Sequence, residues 1–262
     1  MGIDAGRYLL HRQSIAGALG AVKSLGWTPG AIIDIGVAMG TEGLYDVWPA
    51  VPLVLVDPAD ENRPYMDRIA ATYERVTVFQ VGASDTCGEL QGRVRPELGH
   101  VVVGIGFQKQ GWESRTFPVL TCDEIVRQAG ISGPFVLKID TDSHERAVLA
   151  GAGETLRQTE VVIIECGLYN AMKGKFPAVE LFATLAAAGF SLSDVAGTSY
   201  ISATGVLRSL DLVFVKVDGE VMRLSYAGSQ KNVAVKTAKR LEQRAHLLSS
   251  MTVAGHPPRR PE

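Results

Sequence analysis

The chain has 262 residues, 46% of them hydrophobic, which suits one α/β domain with additions and leaves too little sequence for two full domains. A net charge of −2 argues against a nucleic-acid partner, and three widely spaced cysteines argue against a disulfide framework or a zinc cluster and for a reducing compartment. Because neither an apolar leader nor a run of about 18 apolar residues is present, we expect a cytoplasmic protein with no signal peptide and no membrane contact.

The chain begins with a predicted helix and then a buried strand that runs into a glycine-rich loop. Apolar residues recur at helical spacing over residues 8–25, and a segment with glycine and proline ends that helix. Residues 31–43 read AIIDIGVAMGTEG, in which an apolar strand carries Asp34 and then turns at Gly36 and Gly40. Glycines at such a turn let the backbone lie close to a bound ligand, although the pattern also suits a plain strand-to-helix turn.

The glycine-rich loop favours S-adenosylmethionine over a dinucleotide. A dinucleotide loop reads G-x-G-x-x-G, whereas Ala38 stands where the middle glycine would admit a pyrophosphate. Asp34 also places negative charge where a phosphate needs donors, and S-adenosylmethionine has a cationic amino-acid part and no phosphate. We therefore expect Asp34, Gly36 and Gly40 to bind this cofactor, and Gly36→Val to abolish binding in a protein that still folds. An NAD-linked oxidoreductase is the alternative.

Two further segments are candidates for cofactor contacts. The apolar run 52–56 ends at Asp57, about 20 residues after the first loop glycine, where an acid accepts hydrogen bonds from ribose hydroxyls of either cofactor. After a predicted helix and the predicted strand 76–81, Ser84 and Asp85 lie in a predicted loop at the carboxyl end of that strand. We expect this loop to meet the adenine edge.

The rest of the domain is predicted to alternate between helices and strands. Residues 86–116 lack a sustained period and predict a surface excursion whose only strand-like segment is Val101–Val103. The later predicted elements are a helix from Thr121 to Gly130, a strand at 135–140, a helix through Leu156, a strand at 161–166, a helix at 179–188, and strands at 190–195 and 212–217. No convincing helix separates the last two strands, which therefore predict an antiparallel pair.

The C-terminal part predicts an extension of the domain. Residues 231–248 form a basic helix candidate, either a solvated face or a homodimer contact, and residues 256–262 should be disordered. We divide the chain into an N-terminal helical cap (1–30), a ligand-binding α/β domain (31–217) and a C-terminal helical extension with its tail (218–262).

Seven short motifs follow one another between about residues 27 and 217. They are I-D-I-G (33–36), D-P (57–58), G-A-S-D with a later glycine (82–88), T-C-D-E-I (121–125), K-I-D-T-D (138–142), V-L-A-G-A (148–152) and I-I-E (163–165). In this order they resemble the FkbM-type S-adenosylmethionine-dependent methyltransferases. The resemblance implies a class I methyltransferase fold, a Rossmann-like three-layer sandwich with a mostly parallel seven-stranded sheet and an antiparallel C-terminal strand. It also implies methylation of hydroxyl groups on sugars or natural products.

The sequence departs from the pattern of this family at two places. Asp57 stands where the family commonly has glutamate, and Ser143-His144 where it commonly has glycine and a hydrophobic or aromatic residue. These departures concern the substrate and the catalytic details rather than the cofactor. A non-catalytic relative that lost its activity through the altered 143–144 segment is therefore a second alternative.

The junction 140–145 contains the candidates for catalysis, which are Asp140, Asp142, His144 and Glu145. Methyl transfer to oxygen needs aligned reactants and a group that takes the hydroxyl proton. Asp140 is expected at the carboxyl end of its strand, facing the ligand crevice, with Asp142 or His144 as the base. The structural alternative is that Asp142 and Ser143 only cap the following helix.

A metal ion is the alternative to a protein base. Asp140, Asp142 and Glu165 are candidate oxygen ligands for Mg²⁺, which would lower the pKa of an acceptor hydroxyl. If this junction is only structural, His100 in the 86–116 excursion is the next candidate base. We expect an O-methyltransferase whose partner is a small hydroxylated metabolite, such as a sugar or a glycosylated natural product.

Overall fold

A central sheet of seven strands organises the computed structural model, which describes residues 13–103, 110–168 and 177–253. The strands of the described residues are β1 Ala31–Ile35, β2 Leu53–Val56, β3 Val76–Phe79, β4 Gly82–Ser84, β5 Gly88–Arg95, β6 His100–Val103, β7 Glu113–Thr121, β8 Phe135–Ile139, β9 Thr159–Gly167, β10 Phe190–Tyr200 and β11 Leu207–Lys216. The central order is β10-β11-β9-β8-β1-β2-β3, with β11 antiparallel to both of its neighbours and the other pairs parallel. The predicted class I methyltransferase fold is confirmed.

Helices cover both faces of the central strands. The helices are α1 Ile15–Ser24, α2 Glu42–Tyr45, α3 Arg63–Thr72, α4 Cys122–Ala129, α5 Glu145–Ala150, α6 Gly153–Arg157, α7 Ala178–Ala187 and α8 Glu220–Val253. Strands β1 and β8 are buried at every position, as expected for parallel strands covered on two sides. Ile33 and Leu137 share one apolar cluster with Ile125 of α4 and Leu185 of α7.

The segment between β3 and α4 is a sheet of its own, with strand order β4-β7-β5-β6. The predictions of a loop at 82–85 and of a largely unstructured excursion at 86–116 are therefore wrong. Phe117 and Val119 are buried whereas Thr116 and Pro118 are exposed, and Phe117 packs with Ala59 and Val94 in a small cluster. This period-two alternation was the local pattern that could have indicated a strand.

Local chemistry explains where helices in the second half begin and end. Thr121 accepts a hydrogen bond from the Glu124 N–H at 3.1 Å, and Gly130 ends α4 in the left-handed region at φ 62°. The single helix predicted through Leu156 is instead two helices. The chain breaks at Gly151, where a Cβ would lie 2.1 Å from the Ser84 carbonyl oxygen.

The last described elements of the chain are a hairpin and a long helix. Strands β10 and β11 pair antiparallel, which confirms the predicted pair, and they extend further than predicted. Residues 1–221 form one compact unit and 222–262 a second, within which the predicted helix 231–248 lies inside the longer α8. None of the helices in the described ranges has the length and apolar character needed to cross a membrane. The start of the predicted first helix and the predicted disordered tail lie outside the described residues.

Candidate functional site

The carboxyl ends of the parallel strands form one wall of a pocket of about 260 Å³. Gly36 follows β1, Asp57 follows β2, Asp140 follows β8 and Glu165 lies near the end of β9. The second sheet contributes an apolar wall made of Leu90, Val101, Val103, Phe117 and Val119. Open α/β sheets bind ligands at this edge, and the sequence analysis missed the apolar wall and Arg208.

The glycine-rich loop after β1 depends on backbone conformations that glycine adopts easily. Gly36 has φ 83° and Gly40 has φ 111°. Gly36 lines the pocket, and a Cβ on it would lie 1.7 Å from the carbonyl oxygen of Asp140. Gly40 is outside the pocket wall, and its Cβ position faces Ile69 at 3.0 Å. Gly36 therefore lies in the pocket wall, where a cofactor-binding residue is expected. Gly40 shapes the loop but does not line the pocket.

Asp34 lies beneath the pocket rather than in its wall. It is 0% exposed, and its carboxylate accepts hydrogen bonds from the Tyr45 hydroxyl at 2.5 Å and from the Lys138 ammonium at 3.0 Å. Asp34 and Lys138 are register partners on β1 and β8, so strand pairing brings the two charges together. Lys138 also bonds to the Gly36 carbonyl oxygen at 3.2 Å. The expected direct cofactor contact of Asp34 is corrected: its carboxylate supports the loop from below.

Lys138 also contacts Asp140, which lies in the pocket wall. Its ammonium lies 3.6 Å from Asp140, whose side chain is 43% exposed. Burial alone would lower the pKa of Lys138, but the carboxylates of Asp34 and Asp140 outweigh it and raise that pKa. Tyr45 is deeply buried against Asp34, and this burial raises the pKa of its hydroxyl. The contacts with Asp34 and Asp140 therefore keep Lys138 charged beneath the ends of β1 and β8.

Asp57 lies in the pocket wall as predicted, and it also organises the backbone around it. Its Oδ1 accepts from the Ala59 N–H and the Asn62 amide, and its Oδ2 accepts from the Ala38 N–H, each at 2.9 Å. Burial raises the pKa of Asp57, and these hydrogen bonds oppose that rise. The carboxylate keeps one further acceptor position on Oδ2.

Ser84 and Asp85 meet His144 from the far side of the turn after β8. The Ser84 hydroxyl donates to Asp85 Oδ1 at 3.1 Å and lies 3.0 Å from His144 Nε2. A hydroxyl has one proton to donate, so Nε2–H is the donor in the second contact. Burial lowers the pKa of His144, and the nearby Asp85 partly opposes this. Of the three residues only His144 lines the pocket, so the predicted adenine contacts of Ser84 and Asp85 stay predictions.

The turn 140–145 is built around Glu145, one of the four ionisable candidates that the sequence places in this junction. Its Oε1 accepts hydrogen bonds from the Thr141 N–H, the Thr141 hydroxyl and the Ser143 N–H at 3.0 to 3.2 Å. Asp142 and Ser143 have positive φ values of 49° and 92°, which L residues rarely adopt. His144, not Asp142 or Ser143, occupies the capping position of α5, and its side chain makes no capping bond. The capping alternative is therefore wrong.

Glu165 faces the same pocket from β9. Its register partner on β11 is Asp211, so both side chains project from the same face of the sheet. Burial and the nearby Asp140 raise the pKa of Glu165 to about 7, while a hydrogen bond from Ser209 opposes this rise. Burial also raises the pKa of Asp211. A carboxylic group that titrates near neutral pH can accept or donate a proton under ordinary conditions.

The remaining polar wall groups are His100 and Arg208. His100, the reserve base candidate, opens β6 and faces the pocket as that role requires. Within residues 13–103, 110–168 and 177–253, no group of three or more His, Cys, Asp or Glu side chains is arranged to hold a metal ion. The magnesium hypothesis for Asp140, Asp142 and Glu165 therefore has no geometric support.

A family model described as the methyltransferase FkbM domain matches residues 63–192. The chain belongs to the FkbM family of methyltransferases. The matched part runs from α3 into β10 and contains the second sheet, the 140–145 turn and Glu165. The glycine-rich loop precedes the matched residues, and β1 and β8 pair directly to bring this loop to the FkbM turn.

Solved structures resemble this FkbM chain at low sequence identity, and no curated protein matches it. Magnesium protoporphyrin IX methyltransferase from Synechocystis PCC 6803, with bound S-adenosylmethionine, gives a TM-score of 0.42 at 13% identity, over 82% of this chain and 85% of that chain. The 1,6-didemethyltoxoflavin-N1-methyltransferase of Burkholderia thailandensis, with its substrate and S-adenosylhomocysteine, gives 0.41 at 16%, over 81% and 83%. Aeropyrum pernix fibrillarin with natively bound S-adenosylmethionine gives 0.44 at 12%, over 78% and 76%.

Proposed function

We propose that the protein is an S-adenosylmethionine-dependent O-methyltransferase that acts on a hydroxyl group of a small metabolite, such as a sugar or a glycosylated natural product. The observation that carries the proposal is the pocket between the Gly36 loop and the 140–145 turn. Family membership supplies the reaction class, and the composition of the pocket wall supports the cofactor. That wall contains four carboxylates, from Asp57, Asp140, Asp142 and Glu165.

The charge of the pocket suits a cationic cofactor better than a dinucleotide. A pyrophosphate is held by free backbone N–H groups at the start of a helix. Here the Gly36 N–H donates to the Val56 carbonyl at 2.9 Å, the Gly40 N–H to the Val37 carbonyl at 2.8 Å, and the Ala38 N–H to Asp57. With these donors used and carboxylates in the wall, S-adenosylmethionine fits and NAD does not.

The residues that would hold the cofactor follow from this arrangement. Gly36 and Ala38 offer a backbone surface without bulky side chains, and Asp57 Oδ2 has an acceptor position left for a ribose hydroxyl. Once bound, S-adenosylmethionine supplies a methyl group on a positively charged sulfur. Asp140 lies at the end of β8 beside Gly36, so its partly exposed carboxylate would stand next to the methionine part of the cofactor.

The turn that differs from the family sequence supports a catalytic protein over a non-catalytic relative. Ser143 replaces the usual glycine, yet it adopts φ 92°, a conformation typical of glycine. Its N–H bonds to Glu145 at 3.0 Å and fixes the turn. The altered residue is therefore accommodated, and His144 and Asp142 still face the pocket.

The acceptor is proposed to be small and partly apolar. The pocket has about 260 Å³ for its ligands, and the second sheet gives it a wall of branched and aromatic side chains. A sugar ring on a hydrophobic scaffold combines hydroxyl groups with an apolar face that suits such a wall. We also propose that the enzyme acts in the cytoplasm, where the thiols of Cys87, Cys122 and Cys166 stay reduced, as they are in this structure.

Two measurements test the proposal. Calorimetry with S-adenosylmethionine, S-adenosylhomocysteine and NAD should show binding of the first two and not of NAD. Asp57→Asn should weaken the binding of S-adenosylhomocysteine about tenfold or more, because hydrogen bonds to a charged carboxylate contribute roughly 1.5 to 3 kcal/mol. The matched control is Asp60→Asn, since Asp60 is 81% exposed and nearby in the chain. NAD binding, or equal affinity in wild type and Asp57→Asn, would contradict this cofactor site.

The acceptor is tested by mass spectrometry after incubation with S-adenosylmethionine and a panel of alkyl and aryl glycosides. We expect one or more of the glycosides to gain a methyl group on oxygen. Transfer only to amine or thiol compounds in a parallel panel would contradict O-methylation while leaving methyl transfer intact.

A further inference from the structure

We propose that Glu165 is the catalytic residue that takes the proton of the acceptor hydroxyl, in place of Asp142 or His144. This inference rests on the proposed function and names a chemical role within the same pocket. In the reaction, the hydroxyl oxygen forms a bond to the methyl carbon as the carbon–sulfur bond breaks, and the bonding pair goes to sulfur. The hydroxyl proton moves to a Glu165 carboxylate oxygen, which balances the charge lost by the sulfonium.

The position of Glu165 is the first argument. It lies near the carboxyl end of β9, beside the strand that leads to Asp140, and its side chain is part of the pocket wall. The partly buried side chain receives a hydrogen bond from Ser209, a residue that is 4% exposed on the neighbouring strand. This hydrogen bond comes from β11, the strand that pairs with β9, and a rigid element holds a base more accurately than a turn does.

The contacts of the competing groups are the second argument. The Asp140 carboxylate lies 3.6 Å from the Lys138 ammonium, which is itself bonded to the buried Asp34. His144 Nε2 is engaged with the Ser84 hydroxyl at 3.0 Å, and that hydroxyl donates onward to Asp85. The Nε2 atom of His144 therefore carries a proton in this arrangement, so that only Nδ1 of the ring could accept one.

The electrostatic surroundings of Glu165 are the third argument. Most of the groups around it are acidic, and they favour uptake of a proton. The charged and titratable groups that face it are Asp140, Asp142 and Glu145 from the β8 end and the turn, Asp211 from β11, the neighbouring Cys166, Lys138 behind Asp140, and Arg208 and His100 in the pocket wall. Burial and the carboxylates of Asp140, Asp142 and Glu145 raise the pKa of Glu165 to about 7, so it is ionised above neutral pH and still a strong enough base to accept a proton.

The test compares Glu165→Gln with wild type and with Asp211→Asn, which removes the carboxylate directly across from Glu165 and outside the pocket wall. Binding of S-adenosylhomocysteine is measured first by calorimetry. If wild type does not bind it, the proposed function fails and this inference fails with it. If all three proteins bind within about twofold of one another, methyl transfer to the glycoside panel is followed from pH 5 to 9.

The expected result is a wild-type turnover that rises with pH through about 7 and a loss of roughly 10² to 10⁴ in turnover in Glu165→Gln. Asp211→Asn should keep turnover within about threefold. Asp142→Asn should remain active above pH 8 and move the rise to lower pH, since it removes a carboxylate that raises the pKa of Glu165. Full activity of Glu165→Gln, or a loss confined to Asp142→Asn, would overturn the inference while leaving the proposed function standing.

A further measurement tests the inference without any methyl acceptor. Protein labelled with ¹³C at glutamate carboxyl carbons is titrated by NMR with S-adenosylhomocysteine bound. A carboxyl signal that titrates near pH 7 and is missing in Glu165→Gln supports the inference, even when no glycoside of the panel is methylated. A Glu165 signal that titrates near 4.5 overturns it.

Discussion

The carbonyl oxygen of Asp140 occupies the space that a side chain on Gly36 would need, only 1.7 Å from the position of a Cβ atom. The expectation that Gly36→Val leaves a folded protein stays a prediction, to which this close contact adds a loss of stability. The end of β8 and the loop after β1 are packed backbone against backbone, and the Asp140 N–H also donates to the Ile35 carbonyl at 2.9 Å. The same backbone contact therefore shapes the pocket wall and contributes to the stability of the fold.

We predict that Gly36→Ala lowers the free energy of unfolding by more than about 2 kcal/mol, through both a positive φ and a backbone overlap. Gly26→Ala is the control, because Gly26 has a similar φ of 90° and no atom within 4 Å of its Cβ position. Urea unfolding measures both variants. Equal losses in the two would mean that conformational strain alone matters and that the contact with Asp140 relaxes easily.

The ion pair between Asp34 and Lys138 is predicted to show strong coupling. Lys138→Met leaves the fully buried Asp34 carboxylate with only the Tyr45 hydroxyl, and we expect a loss of about 3 to 5 kcal/mol in the free energy of unfolding. Adding Asp34→Asn removes the uncompensated charge, so the double variant should be more stable than Lys138→Met alone. Denaturant unfolding of the full double-mutant cycle measures this coupling, and strictly additive losses would contradict it.

Ser143→Gly is predicted to stabilise the protein by about 1 kcal/mol. Ser143 is held at φ 92°, which costs a non-glycine residue roughly 1 to 3 kcal/mol, and the greater freedom of glycine in the unfolded chain offsets part of this. Ser143→Ala is the control, because it keeps both the strain and the N–H bonded to Glu145. Thermal unfolding should place the glycine variant several degrees above wild type and the alanine variant near it. A lower melting temperature for Ser143→Gly would show that the serine hydroxyl contributes more than the strain costs.

Glu165 is predicted to make the stability of the cofactor-free protein depend on pH. Its pKa is about 7 in the folded protein and ordinarily 4.5, so the folded state binds its proton more tightly than the unfolded state. Stability from this group is fully present below about pH 4.5 and is lost as the pH rises through 7. Glu165→Gln should therefore match wild type at low pH and exceed it at pH 8, by an amount on the order of 1 to 3 kcal/mol.

This prediction is checked by comparing urea unfolding of the two proteins at several pH values. The difference between them isolates Glu165 from other buried acids such as Asp57 and Glu145, whose pKa values burial also raises. A difference that does not change between pH 5 and pH 8 would contradict the raised pKa of Glu165.

The sequence by itself determined the central sheet and the place of the ligand pocket. Apolar runs such as 31–35 and 135–139 are strands buried on both faces, and their alternation with helices predicts parallel neighbours because each helix returns the chain to the same end of the sheet. Asp57 and Asp140 were found because the residue after a parallel strand reaches the edge where ligands bind. These are properties of short segments and of chain order, so they can be read without coordinates.

Only the tertiary structure decided which polar groups meet. Asp34 is paired with Lys138 by the register of β1 against β8, and His144 is paired with Ser84, 60 residues away in the chain. The raised pKa of Glu165 likewise comes from burial and from carboxylates of other elements. A local sequence pattern reports the period of a strand or helix, but the charge and hydrogen bonding of a side chain depend on distant segments that only folding brings within a few ångströms.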